Sequence, residues 1–131
     1  MPNAPSTMRI QTGDIGSGIA AEAIAANLLV NVNSSEQVAL NGADGMADGS
    51  AQEAAASGAQ ATFYKRRPGD RARLKGTGTL VAGDFFKGAA SGLIQADGTS
   101  GATALSVNTL GVVLAAEGTD GVSTFYWGKY L

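Results

Sequence analysis

The chain contains neither cysteine nor histidine. Their absence excludes disulfides, thiolate or imidazole zinc sites, Ser–His and Cys–His nucleophilic arrangements, and haem ligation through either residue. Charge is scarce as well: 15% of the residues are ionic, well below the usual quarter. With 19 glycines and a large stock of Ala, Ser and Thr, the surface is small and polar, which suits close packing against another protein. Long apolar runs are missing too. The stretches around Ile19 to Val30 and Leu110 to Ala116 are too short or too alanine-rich to span a bilayer. The N-terminus has no basic region leading into an apolar one, so neither a membrane partner nor a classical secretion signal is expected.

What is present suits one domain, or two half-size modules sharing a core; 131 residues can bury roughly two thirds of the unfolded surface. The net charge of −2 hides an asymmetry, because Lys65, Arg66, Arg67, Arg71, Arg73 and Lys75 are six of the nine cations. Arg71, Arg73 and Lys75 recur at period two, so in a strand they share one face while Ala72 and Leu74 take the other. Arg66, Arg67, Arg71, Arg73 and Lys75 therefore form a candidate basic contact patch for an acidic neighbour, against the plainer reading of a solvated strand whose cations block stray pairing. Direct nucleic-acid binding is disfavoured, since the chain is acidic overall and its aromatics are not interleaved with the cations.

Along the chain, residues 1–18 read as an extended N-terminal arm and 19–131 as a single β-rich domain. The opening "MPNAPSTMRIQTG" has little periodic apolar content and suits a segment that orders on a partner. A short helix is expected from Ser17 and one helical turn in "QEAAAS". The remainder reads as short strands between Gly, Asp and Asn turns: "LLVNV", "EQVAL", "AQATFYKR", "RARLK", "TLVAGDFFK", "GLIQA", "ALSVN", "LGVVLAA" and "GVSTFYW". Turn signals every eight to twelve residues predict an all-β sandwich or barrel. Residues 23–40 align without a gap on 79–96, which suggests half-repeats over 23–66 and 79–128. Thr62-Phe63-Tyr64 and Thr124-Phe125-Tyr126 would then be counterparts, with six residues inserted between. Phe63, Tyr64, Phe125 and Tyr126 are expected in core or subunit interface, and Trp127 and Tyr130 as core residues or interface anchors.

No catalytic or cofactor motif completes. Asp44, Asp48, Asp97 and Asp120 stand in Asp-Gly turns whose spacing matches no calcium loop. Nothing brings Glu53 and Glu117 together as an acid–base pair. "GDIGSG" and "GTGTL" lack the strand–helix setting of a phosphate loop. The expectation is therefore a protein without metal, cofactor or enzymatic activity.

"LGVVLAAEGTDGVSTFYWGKY", with the pattern of residues 57–98, resembles the small head decoration, or capsid cement, proteins of tailed bacteriophages, the lambdoid ones in particular. The resemblance implies a β-tulip module that forms a homotrimer on the outer face of an expanded capsid. It further implies the major capsid protein as partner, a place in the virion after synthesis in the host cytoplasm, and shell contact through an arm. Here the arm would be Pro2, Asn3, Ala4, Pro5, Ser6, Thr7, Met8, Arg9 and Ile10. The long basic segment departs from the lambdoid pattern. A second reading is a carbohydrate- or receptor-binding β module of a tail or baseplate, with Trp127 and Tyr130 as a sugar platform.

Overall fold

A computed structural model describes residues 15–51, 53–97, 106–119 and 124–131. The arm residues Pro2 to Ile10 lie outside the described residues, as does Asp120. The protein is all-β. Among the described residues the helical content is one 3-10 turn, Ala90–Gly92.

Two five-stranded sheets follow one another along the chain. The first holds β1 (Ile15–Ile19), β2 (Leu28–Val32), β3 (Val38–Leu40), β4 (Gly49–Ala51) and β5 (Gln60–Lys65), in the order β1-β5-β4-β2-β3. The second holds β6 (Arg71–Gly76), β7 (Phe85–Gly88), β8 (Ile94–Ala96), β9 (Gly111–Thr119) and β10 (Thr124–Tyr130), closed into a barrel. Walked from β6, its order is β6-β10-β9-β7-β8, the first order with every strand number raised by five. The barrel closes through the parallel pair Gly76–Ile94. The ends of the first sheet meet only at an isolated parallel bridge, Ala20–Val38, which leaves a half-barrel. Both members of that bridge lie 56 residues before those of the closing pair (20 to 76, 38 to 94).

The correspondence extends through the ladders. Val30–Leu40, Asn31–Ala39 and Val32–Val38 recur as Phe86–Ala96, Lys87–Gln95 and Gly88–Ile94, each 56 positions on. Leu29–Ser50 and Val30–Gly49 recur as Phe85–Val112 and Phe86–Gly111, with β4 carried to β9 by 62. Ser17–Thr62 recurs as Arg73–Trp127, carrying β5 to β10 by 65. Phe63 therefore stands where the second sheet has Gly128, and the two Thr-Phe-Tyr segments are not counterparts. Their offset of 62 misses the strand offset by three, and an odd slip in a strand puts every side chain on the opposite face.

That slip shows how each core is filled. In the half-barrel the ring comes from β5: Phe63 lies over Gly16 and Gly49, whose missing Cβ atoms would sit 2.3 and 2.8 Å from it. In the barrel the ring comes from β7: Phe86 lies against Gly111 and Gly128, with missing Cβ positions 2.7 and 2.8 Å away. One large ring opposite two glycines is thus reached from different strands. Around Phe63 pack Ile24, Val30, Val38, Ala51 and Ala61; around Phe86 pack Leu74, Leu80, Ile94, Leu110, Val113 and Tyr126.

Three expectations are corrected. Residues 15–19 form β1 and not a helix: Gly16 and Gly18 face inward at period two, and Gly16 leaves room for the Phe63 ring. Residues 53–57 are not helical, because Ala55 bridges Ile24 through two backbone hydrogen bonds. In "ALSVN", Ser106 to Asn108 are not strand but a turn, where the Asn108 amide donates to Ser106 Oγ.

The two sheets join through the outward side of β2 and β4. Leu29 leaves its own sheet to enter the barrel's apolar cluster, and Ser50 is fully buried beside the Tyr130 hydroxyl. Lys75 N–H donates to Asn27 O at 2.9 Å, Gly92 N–H to Asn41 O at 2.8 Å, and Asp44 N–H to Gly88 O at 3.0 Å.

Candidate functional site

The alternation of β6 and β10 that buries Leu74 and Tyr126 turns their other residues outward. Paired across β6, β10 and β9, these residues form three rungs: Lys75–Phe125–Glu117, Arg73–Trp127–Ala115 and Arg71–Lys129–Val112. Two register shifts between β9 and β10 flank Phe125 and Trp127, and bulges of this kind re-aim side chains.

The rungs are held together by their own chemistry. The Arg73 guanidinium carbon lies 4.0 Å over the Phe125 ring centroid, and Lys75 Nζ lies 5.4 Å from it. Cation–ring contacts of this type contribute about 0.5–1 kcal/mol when exposed. Arg73 Nε sits 3.4 Å from Glu117 Oε1, while Trp127 Nε1 donates to Glu117 Oε2. Glu117 thereby fixes an arginine and a tryptophan on one rung pair. The result is a partly exposed face of Arg, Trp, Phe and Lys, of which Arg, Trp and Phe are types enriched at protein interfaces.

The structure brings Arg71, Arg73 and Lys75 together on this face but not Arg66, whose Nε donates to Ala47 O at 2.9 Å inside the joint. Arg67 is exposed in the turn before β6. Lys129 joins the face, a residue missed from the sequence although the alternation Phe125, Trp127, Lys129 contains the signal. Phe63 and Tyr126 are core residues, and the Tyr126 hydroxyl accepts from Leu80 N–H at 3.3 Å. Tyr64 is half-buried opposite Ile15 on β1, beside a cavity of about 200 Å³ that Glu53 and Thr62 also line. Phe125 and Trp127 are half-buried on the outer face. Tyr130 is buried, and burial pushes its phenol up to about 12. It cannot share a sugar platform with Trp127.

Glu53 and Glu117 are both exposed, Glu53 in the connection between β4 and β5 and Glu117 on β9 of the barrel. The turn carboxylates serve the fold: Asp48 Oδ2 accepts from Val32 N–H at 2.8 Å, Asp44 pairs with Lys87 Nζ at 2.9 Å, and Asp97 accepts from Ser106 Oγ at 2.8 Å. Among the described residues no group of three or more acidic side chains could hold a metal ion, and no helix is long and apolar enough to cross a membrane.

No family model matches the chain, and no curated protein matches it. Among solved structures, the N base of the head fibre protein gp8.5 from bacteriophage phi29 is similar, with a TM-score of 0.65 over 90% of this chain and 97% of that one. The identity is 11%, so what the two proteins share is the fold.

Proposed function

We propose that the chain is a structural protein of a phage virion, seated on the outer surface of the head, where it decorates and cements the shell as a homotrimer bound to the major capsid protein. The observation that carries this reading is the likeness to a head fibre base over nearly the full length of both chains. The sequence resemblance to capsid cement proteins supports it from a separate direction. So does the character of the outer barrel face, where Glu117 holds Arg73 and Trp127 in place and a partner would meet preformed side chains. Attachment to a lattice also suits a trimer: once one contact forms, the others are effectively intramolecular, and avidity exceeds a single contact by roughly a hundredfold to ten-thousandfold.

The test is co-sedimentation with expanded heads of the phage that encodes the chain, using the full chain and a variant lacking residues 2–12. The full chain is expected to sediment with heads, and the truncated one to stay folded and trimeric while losing the shell. Equal binding by both removes the role assigned to Pro2 to Ile10. Failure of the full chain to bind heads removes the decoration role itself.

A further inference from the structure

The two sheets share one register on their outer faces, so each serves as a control for the other. On the half-barrel the β1–β5 rungs are Ile15–Tyr64, Ser17–Thr62 and Ile19–Gln60, with no charge among them. At offsets of 56 and 65 they become Arg71–Lys129, Arg73–Trp127 and Lys75–Phe125 on the barrel. Neutral side chains satisfy the fold at these positions, so the cations serve something other than the fold. The Arg71–Lys129 rung shows this most plainly. Like charges directly opposite one another weaken a sheet, and among the described residues neither of the two takes part in a salt bridge. Protection of an edge does not account for Lys129, because β10 is paired on both sides, to β6 and to β9. The rung also stands about 17 Å along β10 from Thr124, at about 3.4 Å per residue, and so away from the turn that lies outside the described residues.

Charge is divided between the sheets in the same sense. Residues 1–65 hold two cations against six carboxylates, a net of −4; residues 66–131 hold seven against five, a net of +2. On the half-barrel the five described carboxylates, of Glu22, Glu36, Asp44, Asp48 and Glu53, are all exposed. On the barrel Asp84 is buried, Asp97 is held by Ser106, and Glu117 by Arg73 and Trp127. Two of the half-barrel acids bracket β3, the end strand of their sheet. Glu22 Oε2 accepts from Leu40 N–H at 3.2 Å, and Glu36 stands in the turn that leads into Val38. Ala21 and Ala23, both exposed, flank Glu22, so nothing bulky adjoins it in the chain.

We propose that the acidic surface beside β3 of one molecule (Glu22, Glu36) docks on the Arg71–Lys129 and Arg73–Trp127 rungs of a second copy. The inference rests on the self-association proposed above and says which surfaces make it. A two-fold contact centred on the basic face would set that face against itself, whereas a three-fold ring joins each molecule to the next through two different surfaces. Segregated charge supplies two such surfaces, and like charges brought together suppress the wrong pairing. Carboxylates arriving at the rung relieve the repulsion within it. Trp127, already fixed by Glu117, gives the contact an aromatic anchor.

The test uses the full chain and two double variants, Arg71→Glu with Lys129→Glu on the basic side and Glu22→Lys with Glu36→Lys on the acidic side. Sedimentation velocity over a concentration series reads their association. The wild type is expected to assemble in about 0.1 M sodium chloride and to weaken in about 1 M, as the screening length falls from about 10 Å to about 3 Å. Each double variant alone is expected to associate about tenfold more weakly or worse. Mixed in equal amounts, the two are expected to associate again, since the acidic surface of one meets the intact rung of the other. Circular dichroism melts check that both fold, and Lys129→Glu with Glu36→Lys as single substitutions replace them if either does not. Variants that keep the wild-type association overturn this contact while leaving self-association standing. So do a wild-type assembly that salt does not weaken and a mixture no stronger than its components. A wild type that is monomeric throughout removes the self-association itself, and this contact with it.

Discussion

Replacing Phe86 by alanine tests how the barrel is filled. The ring is fully buried, and two of its neighbours, Gly111 and Gly128, have no side chain that could move into the space it leaves. Their backbones cannot follow, since Gly111 is paired on both sides, to Phe86 and to Tyr130. A cavity that cannot collapse puts the loss at the upper end of the range for Phe→Ala, about 4–5 kcal/mol. For a chain of this size that lowers the melting temperature by about 10–20 °C. Equilibrium urea unfolding followed by Trp127 fluorescence, at low concentration where the chain is dispersed, measures it. Gly128→Ala supplies the control. In the wild-type background its Cβ would meet the ring at 2.8 Å, and crowding of this kind costs about 1–3 kcal/mol. In the Phe86→Ala background the same methyl enters empty space and becomes neutral or stabilising, so the double-mutant cycle shows coupling above about 1 kcal/mol. A Phe86→Ala loss below about 2 kcal/mol, or additive behaviour in the cycle, would refute the ring-over-glycines account.

Three further outcomes follow from the same geometry. Gly49→Ala and Gly111→Ala, at equivalent positions of the two sheets, would place a Cβ 2.1 Å from Tyr64 O and 2.3 Å from Lys129 O; each is expected to cost about 3 kcal/mol or more, whereas Gly42→Ala, with open space around it, stays within about 0.5 kcal/mol by the same denaturation assay. Tyr130 holds its proton more tightly folded, near 12, than unfolded, near 10. Its contribution of about 3 kcal/mol is therefore whole below pH about 10 and is lost as pH rises through about 12, so urea midpoints should fall steeply over that window and more shallowly in Tyr130→Phe. Glu117→Gln removes an exposed ion pair with Arg73; the stability change is expected below about 1 kcal/mol, while the Trp127 emission shifts as its indole N–H loses a charged acceptor.

Much of the strand pattern was legible where alternation is clean. β6 follows from Arg71, Arg73 and Lys75 opposite Ala72 and Leu74, and "LLVNV" coincides with β2. β1 and β4 were not legible, because Gly-Ser-Gly and Gly-Ser-Ala carry almost no apolar side chain; they are strands because a ring on a neighbouring strand needs their glycines. The gapless alignment of 23–40 with 79–96 matches the offset of the β2–β3 and β7–β8 ladders, and six inserted residues match the step from β4 to β9. The repeated Thr-Phe-Tyr pointed elsewhere, since exchanging the core ring between β5 and β7 erased identity at the positions that correspond in space. The basic face was legible in β6 alone. Lys129 and Glu117 complete it from strands distant in sequence, and Arg66 leaves it because a backbone carbonyl in the joint, Ala47 O, lies within reach.

The most direct test of the account is where the chain sits in the particle. Cryo-electron microscopy of purified virions, with and without the gene for this chain, should show its density on the outer head surface at three-fold positions of the shell, and heads lacking that density in the deletion. Unchanged heads, with the missing density on the tail or baseplate, would contradict the account.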